Sequence, residues 1–187
     1  MMKRVFDCLV AVTLLLFFAP VLAGCFLAIR LTSPGQAVFK SRRVGRGSVV
    51  FTMLKFRTMR EGTPQLATHL VENPEDFLTT VGGFFRRTSL DELPQLWNVL
   101  RGEMSLVGPR PALFNQDDLI ALRRESGVDT LRPGITGWAQ VRGRDALSTK
   151  EKATLDEYYL RNRSFLFDLK ILILTVLNVL KSEGIQH

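Results

Sequence analysis

Between Phe84 and Pro111 the sequence reads FFRRTSLDELPQLWNVLRGEMSLVGPRP, and two adjacent carboxylates, Asp91 and Glu92, are bracketed there by Arg86, Arg87, Arg101 and Arg110. Paired acids in a basic setting suit chemistry on phosphate esters, because a carboxylate can attack or relay a proton while guanidinium groups grip the oxygens. The same letters also read as a helix start: Ser89 stands three residues before Glu92, a capping-box spacing, and acidic residues suit a first turn. Pro94 weakens that alternative. A helix capped at Ser89 would place Pro94 at its fifth position, where a backbone donor is already needed. An irregular turn or a later helix start is expected, and free N–H groups at such a start favour anions.

Other chemistries have few residues to work with. His69 and the terminal His187 are the only histidines, so a His-dependent triad or a His-ligated zinc site is not expected. Cys8 and Cys25 both fall in an N-terminal apolar run, which excludes a disulfide framework and a cysteine metal site. No GxxxxGK[ST] occurs, and the GRG at 45–47 lacks the rest of a dinucleotide fingerprint. A formal charge of +7 and a pI near 9.9 imply anionic partners: nucleic acid, anionic lipid or a phosphorylated substrate. A basic, membrane-tethered nucleic-acid binder has only this charge in its favour, with no groove-reading element or aromatic-basic interleaving.

The 187 residues suffice for one domain plus a membrane element. Residues 8–29 are almost wholly apolar, long enough at about 1.5 Å per residue to cross a hydrocarbon core of roughly 30 Å. Pro20 interrupts the run and removes the hydrogen bond to the Leu16 carbonyl, so a bend is expected. Lys3 and Arg4 precede the run, and Arg30, Lys40, Arg42, Arg43 and Arg46 follow it. Both flanks thus claim the cytoplasmic side, which favours a re-entrant, monotopic anchor over residues 1–33, followed by a catalytic domain over 34–187. The alternative is an exported lipoprotein cleaved before Cys25 at LAGC, with an interaction role. Against it, FLAIRL continues apolar beyond Cys25 and Asp7 intrudes near the start of the run.

Behind the anchor, AVFKSRRVGRGSVVFTMLKFRTM reads as a short β-hairpin around GRG, and residues 61–80 as a polar surface loop with a helical turn. Helices are expected over LPQLWNVLRGEMSL, ending near Gly102, over FNQDDLIALRRESG, closed by Gly127, and over STKEKATLDEYYLRN, where Ser148 and Glu151 form a capping box. RPGITG at 132–137 reads as a tight turn in which Gly134 and Gly137 permit unusual dihedrals. Trp138 is read as core rather than as a stacking platform. A last helix over about 165–182 sets Asp168, Thr175, Asn178 and Ser182 near one face, as an interfacial or core-packed helix would. The fold class is therefore mainly α with a short β-hairpin: a proline-broken re-entrant helix plus a compact cytosolic domain with interfacial helices.

KFRTM, SLDELPQLWNVLRGEMSLVGPRP, RPGITGWAQV, GRD and SFLFDLKI, in this order behind a proline-broken apolar segment, closely resemble the bacterial sugar transferases called small monotopic phosphoglycosyl transferases. The resemblance covers essentially the whole chain. It implies transfer of a phosphosugar from a UDP-sugar to a polyprenyl (undecaprenyl) phosphate at the cytoplasmic face of the bacterial inner membrane, with release of UMP, as the first membrane step of glycoconjugate assembly. It implies Asp91 as nucleophile near Mg²⁺, Glu92 as supporting acid/base or orienting group, and a covalent two-step mechanism. It points further to Lys55, Arg86, Arg110 and Arg144 as phosphate or nucleotide contacts and to Asp168 as a polar site residue. Nucleic acid is not an expected partner. Two like charges about 4 Å apart cost about 4 kcal/mol at an effective dielectric near 20, so a carboxylate attacking a diphosphate needs cations, and the basic residues can supply them. The sequence departs from the family pattern at Ala19, where many relatives have serine before the bending Pro20, and at Arg142 and Asp145 in QVRGRD. These leave the bend without a supporting hydroxyl and the sugar unspecified.

Overall fold

The computed structural model describes residues 2–63, 74–143 and 146–181. The chain opens with two helices, α1 (Met2–Phe17) and α2 (Ala19–Thr32), that break at Phe18 with a bend of 62°. The break falls two residues before Pro20, which occupies the first turn of α2, where no intrahelical donor is required. No single helix among the described residues is long and apolar enough to cross a membrane, but the bent pair taken together is, by length and composition.

The next segment forms the expected hairpin. β1 (Val38–Val44) and β2 (Val50–Phe56) pair antiparallel, joined through a 3₁₀ turn at Arg46–Ser48. A two-residue strand, β4 (Ala112–Leu113), adds to the other edge of β1, giving the order β2-β1-β4. Between them in the chain come α3 (Gly82–Thr88), α4 (Gln95–Arg101) and β3 (Ser105–Val107), and after them α5 (Asp117–Glu125), β5 (Gly134–Thr136) and α6 (Trp138–Arg142). β3 and β5 make a parallel pair that the sequence reading does not contain. At three residues each they are too short to leave an alternating signature. The fold closes with α7 (Thr149–Asn162) and α8 (Phe165–Lys181).

Helix ends follow local chemistry. Gly102 and Gly127 take positive φ beyond α4 and α5, and the Ser148–Glu151 capping box opens α7. Of the four polar residues expected on one face of α8, the three that are described point into the protein. Asp168 is buried, the Thr136 and Thr175 hydroxyls share a hydrogen bond of 2.7 Å, and Asn178 donates to the Val141 carbonyl at 3.3 Å. Ser182 lies outside the described residues.

One apolar core joins α1 to the rest of the chain: Ala11 packs with Met53, Leu96, Val99, Met104, Val107, Trp138, Tyr159 and Ile171. Trp138 is a core residue, as read. Ala11 brings one methyl, about 0.8 kcal/mol of burial, but Phe6, Val10, Leu14 and Leu15 also pack against this core, so α1 is a structural part of the domain. Its two leading cations are committed to the protein: Lys3 pairs with Asp168 at 2.6 Å, and Arg4 donates to the Val99 and Leu100 carbonyls at the end of α4. A second cluster seats α2 through Cys25 and Ile29 against Ala37, Phe56 and Phe85.

Candidate active site

Asp91 sits on a single 3₁₀ turn, Leu90–Glu92, between α3 and α4. The capping box open to Ser89 and Glu92 does not form. Ser89 instead adopts a left-handed conformation (φ 56°) at the end of α3, with no side-chain cap, and Pro94 immediately precedes α4. The chain reverses at Ser89, and Leu90 and Leu93 pack into the two core clusters on either side. With both leucines inward, the intervening Asp91 is carried into the protein, 7% exposed.

KFRTM supplies the surroundings. Lys55 on β2 places its ammonium 2.8 Å from Glu92 Oε1 and 3.8 Å from Asp91 Oδ2. Arg57, two residues on, donates to the Ser33 and Pro34 carbonyls at the end of α2. Thr58 accepts a 3.1 Å hydrogen bond from Arg86 Nε, which directs that guanidinium from the last turn of α3. Arg110, between Pro109 and Pro111, reaches Glu92 Oε1 at 3.3 Å.

Five predicted residues thus meet: Lys55, Arg86, Asp91, Glu92 and Arg110. Burial pushes the proton affinity of Asp91 above the ordinary carboxylate range. Lys55 opposes that shift most strongly, Glu92 adds to it, and Arg86 and Arg110 pull it back. Asp168 is placed elsewhere: its carboxylate accepts from Lys3 and from the Tyr159 hydroxyl, both at 2.6 Å, and so fastens α8 to α1 and α7. Arg144 and Asp145 lie outside the described residues, and Arg142 stacks its guanidinium 4.3 Å from the Trp138 ring centroid.

Two contributors were not picked out in the sequence. Arg43 on β1 feels both Arg110 and Glu92; burial, then Arg110, lowers its pKa to about 10, and Glu92 opposes the change. Its Nη1 donates to the Pro111 carbonyl at 3.2 Å. The signal was the two-residue strand period, which puts Arg43 on the same face as the buried Ser41. Asn98, fully buried in α4, acts as a peptide surrogate for β2. Its Oδ1 accepts from Leu54 N at 3.0 Å and its Nδ2 donates to Thr52 O at 2.8 Å, which locks the strand of Lys55 to the helix behind Asp91. An amide among Leu96, Val99 and Leu100 was its only mark.

The glycines of RPGITG act differently from the expectation. Gly137 is extended (φ −170°) and Gly134 is not among the residues of positive φ, so neither is there for an unusual dihedral. Each is needed for close approach: a Cβ on Gly134 or Gly137 would collide with the backbone of Gly108. RPGITG therefore packs main chain to main chain against VGPRP, the loop that carries Arg110.

Among the described residues no cluster of three or more His, Cys, Asp or Glu side chains could cage a metal ion. Mg²⁺ asks for less, since it is commonly held by one or two carboxylates plus substrate phosphates and waters. The buried, desolvated Asp91 beside Glu92 fits that donor set.

Asp91, buried beside Glu92 and ringed by cations, thus lies in a mainly helical domain that opens with a bent apolar helix pair. The chain belongs to the bacterial sugar transferase family, whose model matches residues 1–182. It is 43% identical to an uncharacterized sugar transferase, EpsL, of Bacillus subtilis, over 100% of this chain and 91% of that one. It is also 43% identical to the UDP-glucose:undecaprenyl-phosphate glucose-1-phosphate transferase of Caulobacter vibrioides (97% of this chain, 71% of the relative). A UDP-N-acetylgalactosamine-undecaprenyl-phosphate N-acetylgalactosaminephosphotransferase of Aeromonas hydrophila is 36% identical over 97% of this chain and 44% of its own length.

Proposed function

We propose that this chain transfers a phosphosugar from a UDP-sugar to a polyprenyl phosphate, in the manner named for its Caulobacter and Aeromonas relatives. The observation that carries the reading is Asp91, a buried carboxylate beside Glu92 in the combined field of Lys55, Arg86 and Arg110.

In the first step an Asp91 carboxylate oxygen attacks the sugar-bearing phosphorus of the UDP-sugar. The phosphoanhydride P–O bond breaks and UMP departs with the bridging oxygen, leaving an aspartyl-phosphosugar. In the second step a phosphate oxygen of the polyprenyl phosphate attacks the same phosphorus and displaces the Asp91 carboxylate, giving the polyprenyl diphosphosugar. Lys55 holds Glu92 and Asp91 in register, while Arg110 and Arg86 meet the phosphate oxygens and offset the repulsion between nucleophile and diphosphate. Mg²⁺, held by Asp91, would neutralise the diphosphate further.

The bent pair α1–α2 is the membrane element of this reading. It holds the site at the cytoplasmic face of the inner membrane, where a soluble nucleotide sugar and a lipid phosphate meet. The buried position of Cys25 within α2 and the core role of α1 count against processing at Cys25, because cleavage there would remove Ala11 and its neighbours from the core.

The test is the intact mass of membrane-purified protein after incubation with Mg²⁺ and a panel of UDP-sugars without lipid acceptor. The full-length chain gains one phosphosugar from its preferred donor, and Asp91→Asn gains none. An adduct that survives in Asp91→Asn moves the nucleophile elsewhere, and no adduct with any sugar removes the covalent mechanism.

A further inference from the structure

We infer that Arg123, fixed by Asp156, is a positioning residue that holds Arg110 against Glu92 through the carbonyl oxygen of Arg110; the inference rests on the function proposed above. Arg123 lies on α5 and Asp156 on α7, away from the carboxylate dyad. Arg123 donates through Nε and Nη2 to Asp156 Oδ2, at 2.9 and 2.5 Å, and its remaining terminal nitrogen, Nη1, donates to the Arg110 carbonyl at 2.8 Å. Asp156 is 1% exposed and Arg123 9%.

A buried ion pair is weak evidence for stability, since desolvation offsets much of its attraction. Apolar contacts among Leu119, Ala153 and Ala112 already join α5, α7 and β4. What those contacts cannot do is fix one peptide unit in the loop.

Three successive carbonyls of that loop are each taken by a donor. Gly134 N–H holds Pro109 O at 2.9 Å, Arg123 holds Arg110 O, and Arg43 holds Pro111 O. The Arg110 side chain is 40% exposed, so packing does little to aim it. Its reach to Glu92 depends on where its backbone places it. Pro109 and Pro111 fix φ on either side, and the torsions left to Arg110 are restrained at its own carbonyl, where Arg123 bonds.

The experiment is a double-mutant cycle on the full chain in detergent micelles, reading UMP release from the donor UDP-sugar with polyprenyl phosphate. Arg123→Met with Asp156→Leu replaces the pair by apolar groups of similar volume, an exchange that folds tolerate well. The expected result is an unchanged melting temperature with kcat/KM lowered roughly 10- to 100-fold. In an Arg110→Ala background the same replacement lowers kcat/KM less than twofold further, because nothing is left to position. Should the double replacement not accumulate, Asp156→Asn, which keeps the shape and weakens the hold on Arg123, is read through the same cycle. An equal loss in both backgrounds, or a loss that tracks a lowered melting temperature, overturns the inference. A parent without UMP release overturns the functional reading itself, and the tether with it.

Discussion

Asp91 carries its charge where burial opposes it, and the cations around it only partly offset that burial. Its folded-state pKa is raised, so over some range of pH the unfolded chain has already lost a proton that the folded chain keeps. The contribution of Asp91 to stability is therefore fully present below the unfolded value of about 3.9 and is lost as pH rises through the folded pKa. Removing the charge should recover that loss. Asp91→Asn, measured by thermal denaturation in EDTA, is expected to melt above the parent at neutral pH, with the difference closing as both are taken below pH 4. A variant that melts at or below the parent at pH 7 would show that the surrounding cations outweigh burial. The dyad was legible in the sequence because two acids amid arginines is an unusual composition. Its conformation was not: the left-handed Ser89 that turns Asp91 inward is set by where Leu90 and Leu93 find their cores.

At the scale of elements, local chemistry was legible and tertiary chemistry was not. Ser148 caps α7 as its spacing implies, whereas Ser89, with the same spacing to Glu92, does not cap, because Pro94 denies the following turn a donor. The β3–β5 pair and the close approach of RPGITG to VGPRP join segments some thirty residues apart, and neither segment marks its partner. Their coupling is testable at Gly134. A methyl there would meet the backbone of Gly108 and of Thr136, neither of which can rotate away as a side chain could. Gly134→Ala is expected to cost about 1–3 kcal/mol, seen as a fall in Tm of about 2–4 °C per kcal/mol for a chain of this size. Turnover should fall with it, since Gly108 leads directly to Arg110. Gly24→Ala, where the added methyl meets nothing within 4 Å, is the matched control and should leave Tm unchanged or slightly raised. Equal behaviour of the two variants would mean that the RPGITG–VGPRP contact gives way freely.

Over the whole molecule the arrangement of α8 is inverted relative to a surface helix of a soluble protein. Lys170 apart, its polar residues Asp168, Thr175 and Asn178 are spent on Tyr159, Thr136 and Val141, while Leu166, Leu169, Ile173, Val176, Leu177 and Leu180 are exposed. Helix α1 repeats the pattern: Ala11 lies in the core, and Val5, Leu9, Val12 and Leu16 form an outward stripe. Both helices pack on β3, and Phe6 meets Phe165 edge to face at 5.2 Å, so the two apolar faces belong to neighbouring elements. An apolar surface of this extent calls for a partner, and in the function proposed above that partner is lipid. The sequence showed which residues share a face of α8; only the packing shows which face is outward. Ile173→Lys with Val176→Lys puts two charges on that outer face, each costing up to about 2.5–3.5 kcal/mol at full hydrocarbon depth and less near the interface. The variant is expected to shift from the membrane pellet toward the soluble fraction in vesicle flotation, with Tm in detergent little changed, because both side chains are more than half exposed. Thr175→Leu should do the reverse, since it loses the 2.7 Å bond to Thr136 and lowers Tm while flotation stays as in the parent. If the lysine variant floats as the parent does, the bent pair α1–α2 alone holds the chain on lipid, and a change in its elution volume would identify a second copy of the chain as the cover of α8.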